Sequence, residues 1–108
     1  KEFLKSNNGI IEKHEFNSQS IKTSTSLYLN NLSKIKSKCD KDTLSIVLEG
    51  LKNIKLFDSK QNNKNIKLSF FKKMGIVLPQ NTILSEKIAS GSIILDIFFE
   101  KKILDIEN

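Results

Sequence analysis

The side chains able to do covalent or proton-transfer chemistry are few. The chain has one histidine, His14, and one cysteine, Cys39. His14 stands among Glu12, Lys13 and Glu15, where a solvated surface imidazole is the expectation. Cys39 sits in a Lys-rich stretch. A thiolate nucleophile needs a partnering base, and His14 is too isolated to nominate as one, so Cys39 reads as an exposed, inert thiol. A lone cysteine also excludes an internal disulfide. Asp40 and Asp42 are spaced like part of a calcium loop, but Lys41 separates them and the remaining ligand positions are missing. His and Cys are too sparse for a transition-metal site. Gly9, Gly50, Gly75 and Gly91 are scattered, so no phosphate-cradling loop is present. No catalytic residue, metal or cofactor is nominated. The expectation is a protein that is not an enzyme and takes no small-molecule substrate.

Charge is the other chemical resource. All 18 basic residues are Lys, against 12 acidic ones, for a net charge of +6 over 108 residues. A chain rich in Lys, Ile and Asn and free of Arg has the bias of an AT-rich genome, which explains much of the basicity. The densest basic stretch runs from Asn31 to Asp42 and holds Lys34, Lys36, Lys38 and Lys41. Such a stretch offers electrostatic contact to phosphates, to acidic lipid headgroups or to an acidic protein patch. A solvated Lys loop is the bland alternative. Nucleic acid is disfavoured: Arg makes most bidentate base and phosphate contacts, and stacking aromatics are thin, with no Trp. Asn31-Leu32-Ser33 is formally a glycosylation sequon, and a chance match is the simpler account.

The elements that would position such residues read as β. Ala, the best helix former, occurs once, while Ile, Phe, Thr and Val favour pleated surface. Lys1 to Ser20 is polar and weakly periodic, a tether able to carry one short strand or helical turn. From Ile21 to Asn30 the residues alternate: Ile21, Thr23, Thr25, Leu27 and Leu29 share one face, Lys22, Ser24, Ser26, Tyr28 and Asn30 the other. Asn31 to Asp42 is a loop. Thr43 to Glu49 is a strand with Leu44, Ile46 and Leu48 facing in. Leu51 to Phe57 fits neither period strictly.

Asn65 to Phe71 alternates with Ile66, Leu68 and Phe70 on one face. Pro79 confines Ile76 to Leu78 to an edge or a strand end. Thr82 to Ile88 suits a strand. Ser92 to Phe99 is apolar on both faces except at Asp96, which predicts a central strand covered on two sides or a core strand beside an interface. Ile103 to Glu107 predicts a C-terminal hairpin. About six to eight short strands with turns between them predict an all-β domain over residues 21–108, a small antiparallel β-sandwich behind the polar tether. No apolar run approaches the ~18 residues needed to span a bilayer as a helix.

Several segments resemble the small outer-membrane lipoproteins of bacterial type VI secretion systems, the SciN/TssJ-like family. They are the strand ending in Leu27-Tyr28-Leu29-Asn30, the polar loop to Asp42, the aliphatic strand Thr43 to Glu49, the turn at Leu78-Pro79-Gln80-Asn81, and the apolar strand ending in Phe98-Phe99. Gln80 stands where that family has Gly, and the Trp-Arg pair after its last apolar strand is absent. The resemblance implies a non-enzymatic assembly protein held at the periplasmic face of the outer membrane by a lipid on a Cys upstream of Lys1. It implies docking to the inner-membrane core protein of the secretion system through the loop between the first two strands, hence through Lys34, Lys36, Lys38 and Lys41. The alternative is a Lys-rich small β domain, cytoplasmic or organellar, associated with nucleic acid or the ribosome.

Overall fold

The computed structural model describes residues 10–18, 20–58 and 64–100. Nine strands, and no helix, occur among them: β1 (Ile10–Asn17), β2 (Ile21–Tyr28), β3 (Leu32–Lys38), β4 (Thr43–Glu49), β5 (Leu51–Asp58), β6 (Lys64–Phe71), β7 (Gly75–Leu78), β8 (Ile83–Ile88) and β9 (Ile93–Phe99). They form two facing antiparallel sheets, a five-stranded one in the order β1-β2-β9-β4-β7 and a four-stranded one in the order β3-β8-β5-β6. The fold is an all-β sandwich, as the alternation predicts. The C-terminal hairpin expected over 103–107 lies outside the described residues, as does much of the expected tether. Within residues 10–17 the chain forms β1 and pairs with β2.

The segment 31–42, read as a loop, is largely strand. Leu32, Ser33 and Lys34 pair with Ile88, Lys87 and Glu86, and after a bulge Ser37 and Lys38 pair with Leu84 and Ile83. The bulge throws Ile35 into solvent at 85% exposure. Lys and Ser are poor strand formers, which hides the strand from a propensity reading. On an edge strand, though, lysines are a common guard against pairing with another chain, and β3 ends its sheet. Leu51 to Phe57, ambiguous in sequence, is β5, a central strand between β8 and β6. Pro79 directly follows β7, an edge strand, as its missing N–H requires.

The five-stranded sheet is inverted relative to the simplest expectation. On β4 the buried side chains are Thr43, Ser45 and Val47, while Leu44 and Ile46 face outward with Leu48. On β2 the buried ones are Ser24, Ser26 and Tyr28. The polar set lines the space between the sheets, and the apolar set forms the outer surface. The four-stranded sheet supplies much of the conventional core, with Ile54, Phe70, Leu84 and Ile88 packed against Val47, Leu78 and Ile94.

The loops at one end are tied by local chemistry. Asp42 is buried, and its carboxylate accepts a hydrogen bond from the Gln80 amide at 2.7 Å, while its carbonyl accepts from Phe99 N–H at 3.0 Å. Cys39 N–H donates to the Thr82 carbonyl and Asn81 N–H to the Cys39 carbonyl. These bonds join the β3–β4 and β7–β8 connections into one rim. Asp42 therefore serves the backbone of that rim.

Candidate functional site

A cavity of about 470 Å³ opens at this rim and runs between the sheets. Its wall contains Lys52, on β5, whose residue is only 3% exposed. Its ammonium reaches across the sandwich and donates to Ser45 Oγ on β4 at 2.9 Å. It also contacts Glu86 Oε2 on β8 at 2.9 Å. Lys34 on β3 stands 3.9 Å from the other Glu86 oxygen. A lysine is almost never this buried unless paired, and here the pairing is direct.

The strand registers explain how these groups meet. Ile54 lies opposite Glu86 and Lys52 opposite Ile88, so Lys52 and Glu86 are diagonal neighbours on one face of adjacent strands. On the facing sheet Ser24, Asp96 and Ser45 lie side by side on β2, β9 and β4. Lys22 is one inward position further along β2 and also lines the cavity. Five lysines (22, 34, 38, 41 and 52) line this space against three carboxylates, those of Asp40, Glu86 and Asp96. The Lys41 ammonium is paired with Glu100.

Tyr28 closes the row on β2. Burial, then the charge of Asp96, pushes its phenol up to about 12, against an opposing hydrogen bond with Ser26. It is a neutral hydroxyl at physiological pH. Because the folded-state value lies above the unfolded one, the contribution of Tyr28 to stability is level below about pH 10 and falls as pH rises from about 10 to about 12. Tyr28 is the only tyrosine. The phenolate absorbance of the folded chain is therefore expected to titrate near 12, and that of the urea-unfolded chain near 10. A folded midpoint at 10 would show a solvated phenol. Cys39, expected to be an exposed thiol, is half-buried against the core; burial, then Glu86, raises its pKa, so it remains a thiol at neutral pH.

Of the four lysines picked from sequence, Lys34, Lys38 and Lys41 border the cavity. Lys36 instead lies over the Phe57 ring, 4.9 Å from its centroid, on the outer face of the four-stranded sheet. His14 lies on β1 opposite Thr25. Lys52, Glu86, Asp96 and Tyr28 were not picked as site residues. A signal for two of them exists: Lys52 is in phase with Ile54 and Leu56, and Glu86 with Leu84 and Ile88. A charge in register with buried aliphatics is a charge facing the core. Among the described residues no three His, Cys, Asp or Glu side chains converge as a metal-ligand set. The chemistry this donor set offers is binding of an anion by ammonium groups, and proton transfer.

No family model matches the sequence, and no curated protein matches it. Solved structures do match the fold. One is an RmlC-like cupin from Shewanella frigidimarina, at a TM-score of 0.73 and 11% identity over 93% of this chain and 84% of that one. Another is KdgF from a Halomonas species, at 0.71 and 12% over 95% and 89%. A third is an oxalate decarboxylase of Bacillus subtilis, at 0.73 and 11% over 87% of this chain and 26% of that one. The shared property is a cupin-like β-sandwich, a likeness of fold.

These matches correct the expectations that came from the lipoprotein resemblance. That resemblance leaned on a long loop between two strands, and the loop contains β3. The structures sharing the fold are cupins and not secretion lipoproteins. The outer-membrane location, the lipid anchor and the inner-membrane core protein as partner rested on that likeness and fall with it. The expectation of a non-enzymatic protein without a small-molecule substrate is overturned as well. The fold is one that oxalate decarboxylase and oxalate oxidase have, and the cavity has polar walls. The nucleic-acid or ribosome alternative gains no support from these structures.

Proposed function

We propose that the sandwich interior binds a small organic anion, a carboxylate bearing hydroxyl or second carboxyl groups, and acts on it as an enzyme through proton transfer. The observation that carries this is the buried Lys52–Glu86 pair in the cavity wall, with Lys22 and Lys34 beside it. An interior built only for stability gains little from buried ions, whose desolvation offsets their attraction. A surplus of ammonium groups in a partly enclosed space suits an anion, because charge-assisted hydrogen bonds strengthen away from bulk water.

Each side chain has a part in this reading. Lys22 and Lys34 hold the carboxylate. Tyr28 and the serines of the β2–β4 row bond its hydroxyls. Glu86, held by Lys52, is the group placed to take or give a proton. Two of the proteins sharing the fold act, by their names, on oxalate, itself a small dicarboxylate.

The test is calorimetric titration with oxalate, hydroxy acids and hexuronates. One of them is expected to bind, and Lys22→Gln and Lys34→Gln each to weaken it roughly tenfold, the loss of about 1.4 kcal/mol from one charged hydrogen bond. Turnover of the bound acid is then expected to vanish in Glu86→Gln while binding persists. No heat with any anion would overturn the site. Binding without turnover would leave a carrier in place of an enzyme.

A further inference from the structure

The cavity wall that faces Lys52 and Glu86 carries an acid without a partner. Asp96 is half-buried on β9, the middle strand of the five-stranded sheet, and lines the cavity. Ser24 and Ser45 stand directly opposite it on the two neighbouring strands, so it shares their inward face. Among the described residues Asp96 makes no hydrogen bond and no ion pair. The other enclosed carboxylates are engaged, Glu86 by Lys52 at 2.9 Å and Asp42 by the Gln80 amide at 2.7 Å. Asp40, also on the cavity wall, is exposed. Lys22 is two residues from Ser24 and so the diagonal neighbour of Asp96, yet the two close no ion pair.

An enclosed acceptor without a donor costs stability unless a bound molecule supplies one. Here an open ammonium and an open carboxylate are diagonal neighbours on one wall. We propose that Asp96 accepts a hydrogen bond from a hydroxyl of the bound carboxylate, and so makes the site specific for hydroxy acids over dicarboxylates. This rests on the anion-binding reading above and narrows it.

A hydroxy acid brings both missing partners in one molecule, a carboxylate for Lys22 and a hydroxyl proton for Asp96. Tyr28 completes the arrangement. Its phenol feels the charge of Asp96, so the two lie close. As a neutral hydroxyl it donates to the oxygen whose proton Asp96 takes. A second carboxylate has no proton to give and meets Asp96 as a like charge. The surplus of lysines alone predicts the opposite order, because a dianion gains more from it than a monoanion. The same surplus disfavours an amine in place of the hydroxyl.

Calorimetric titration with two matched pairs tests this, gluconate against glucarate and glycolate against oxalate. Within each pair the acids share a carbon chain and differ at one end, hydroxymethyl in the first and carboxylate in the second. The parent chain is expected to bind the hydroxy acid at least ~30-fold more tightly, from one charged hydrogen bond gained and one like-charge contact avoided. Asp96→Asn keeps the shape and removes the charge. It is expected to tighten the dicarboxylate and weaken the hydroxy acid until they differ by less than about threefold. Because Asp96 has no partner to lose, the variant is expected to unfold at the urea concentration of the parent. Asp96→Ser decides the matter should Asp96→Asn not fold. A parent chain that binds the dicarboxylate as tightly as the hydroxy acid would overturn the inference and leave the anion site standing. An unchanged preference in Asp96→Asn would do the same. Tighter binding of 6-amino-6-deoxygluconate than of gluconate would overturn it in favour of an amino acid. Failure of every anion to bind would overturn the anion site itself, and this inference with it.

Discussion

Lys52→Met is expected to destabilise the protein by about 3 kcal/mol, the usual cost of removing one partner from a buried ion pair. For a domain of this size that corresponds to roughly 12–20 °C in Tm. The change removes the ammonium that contacts Glu86 at 2.9 Å and Ser45 at 2.9 Å. Glu86 is then left with Lys34 at 3.9 Å, a long contact from a half-exposed side chain. Methionine fills the stem's volume, so the loss reports the charge and not a void. Adding Glu86→Leu is expected to recover most of the stability, because an apolar pair of similar size often equals a buried ion pair. The double variant should fold well and bind no carboxylate. Urea melts and calorimetric titrations on the parent chain, Lys52→Met and the double variant separate the two effects. A double variant no more stable than Lys52→Met would show that the pair is not the source of the loss.

The fold class was legible because period-2 alternation survives any choice of face. Thr43 to Glu49 is a strand in the sequence and in the structure, and of the strand read over Ile21 to Asn30 the structure forms Ile21–Tyr28. Which face turns inward was not legible from hydrophobicity. On β4, Leu44, Ile46 and Leu48 form the more apolar set, yet Thr43, Ser45 and Val47 are buried. The interior of this sheet answers to polar groups, and its exterior is apolar. The run from Ser92 to Phe99, apolar on both faces except at Asp96, is the trace of this arrangement in the sequence. β9 is in fact the middle strand, between β2 and β4.

The site was missed for a related reason. Attention to sparse residue types led to His14 and Cys39, and attention to charge density led to the lysines of 31–42. A buried Lys–Glu pair has neither signature. Lys52 and Glu86 are 34 positions apart in sequence and meet through a strand pairing that no local pattern encodes. What the chain does encode is phase: each of the two stands two residues from a buried aliphatic, Ile54 for Lys52 and Ile88 for Glu86. Reading charges by phase as well as by density would have selected them.

Gly50→Ala is expected to cost more than Lys52→Met, about 4 kcal/mol, although it adds only one methyl group. Gly50 joins β4 of one sheet to β5 of the other with φ at +94°, where an L side chain is strained by about 1–2 kcal/mol. The added Cβ would also stand 2.1 Å from Ser92 Oγ and 2.7 Å from both Ser92 Cα and Cβ. Ser92 is fully buried, and its hydroxyl receives the Leu51 N–H at 3.0 Å and donates to the Leu51 carbonyl at 3.3 Å. Neither partner can yield without breaking that stitch, so overpacking adds roughly 1–3 kcal/mol. Gly91→Ala is the control, with φ at +84° and nothing within 4 Å of the new Cβ. It should cost only the strain, about 1 kcal/mol. Ser92→Ala is expected not to rescue Gly50→Ala, because Cα and Cβ of Ser92 remain in the way. The consequence extends to the site. Lys52 follows Gly50 by two residues, and the stitch at Leu51 fixes the direction in which β5 sets out toward Ser45. Carboxylate binding in Gly50→Ala is therefore expected to weaken even below its melting temperature, while Gly91→Ala binds as the parent chain does. Equal stability of the two alanine variants in urea would refute the steric account and leave backbone strain alone.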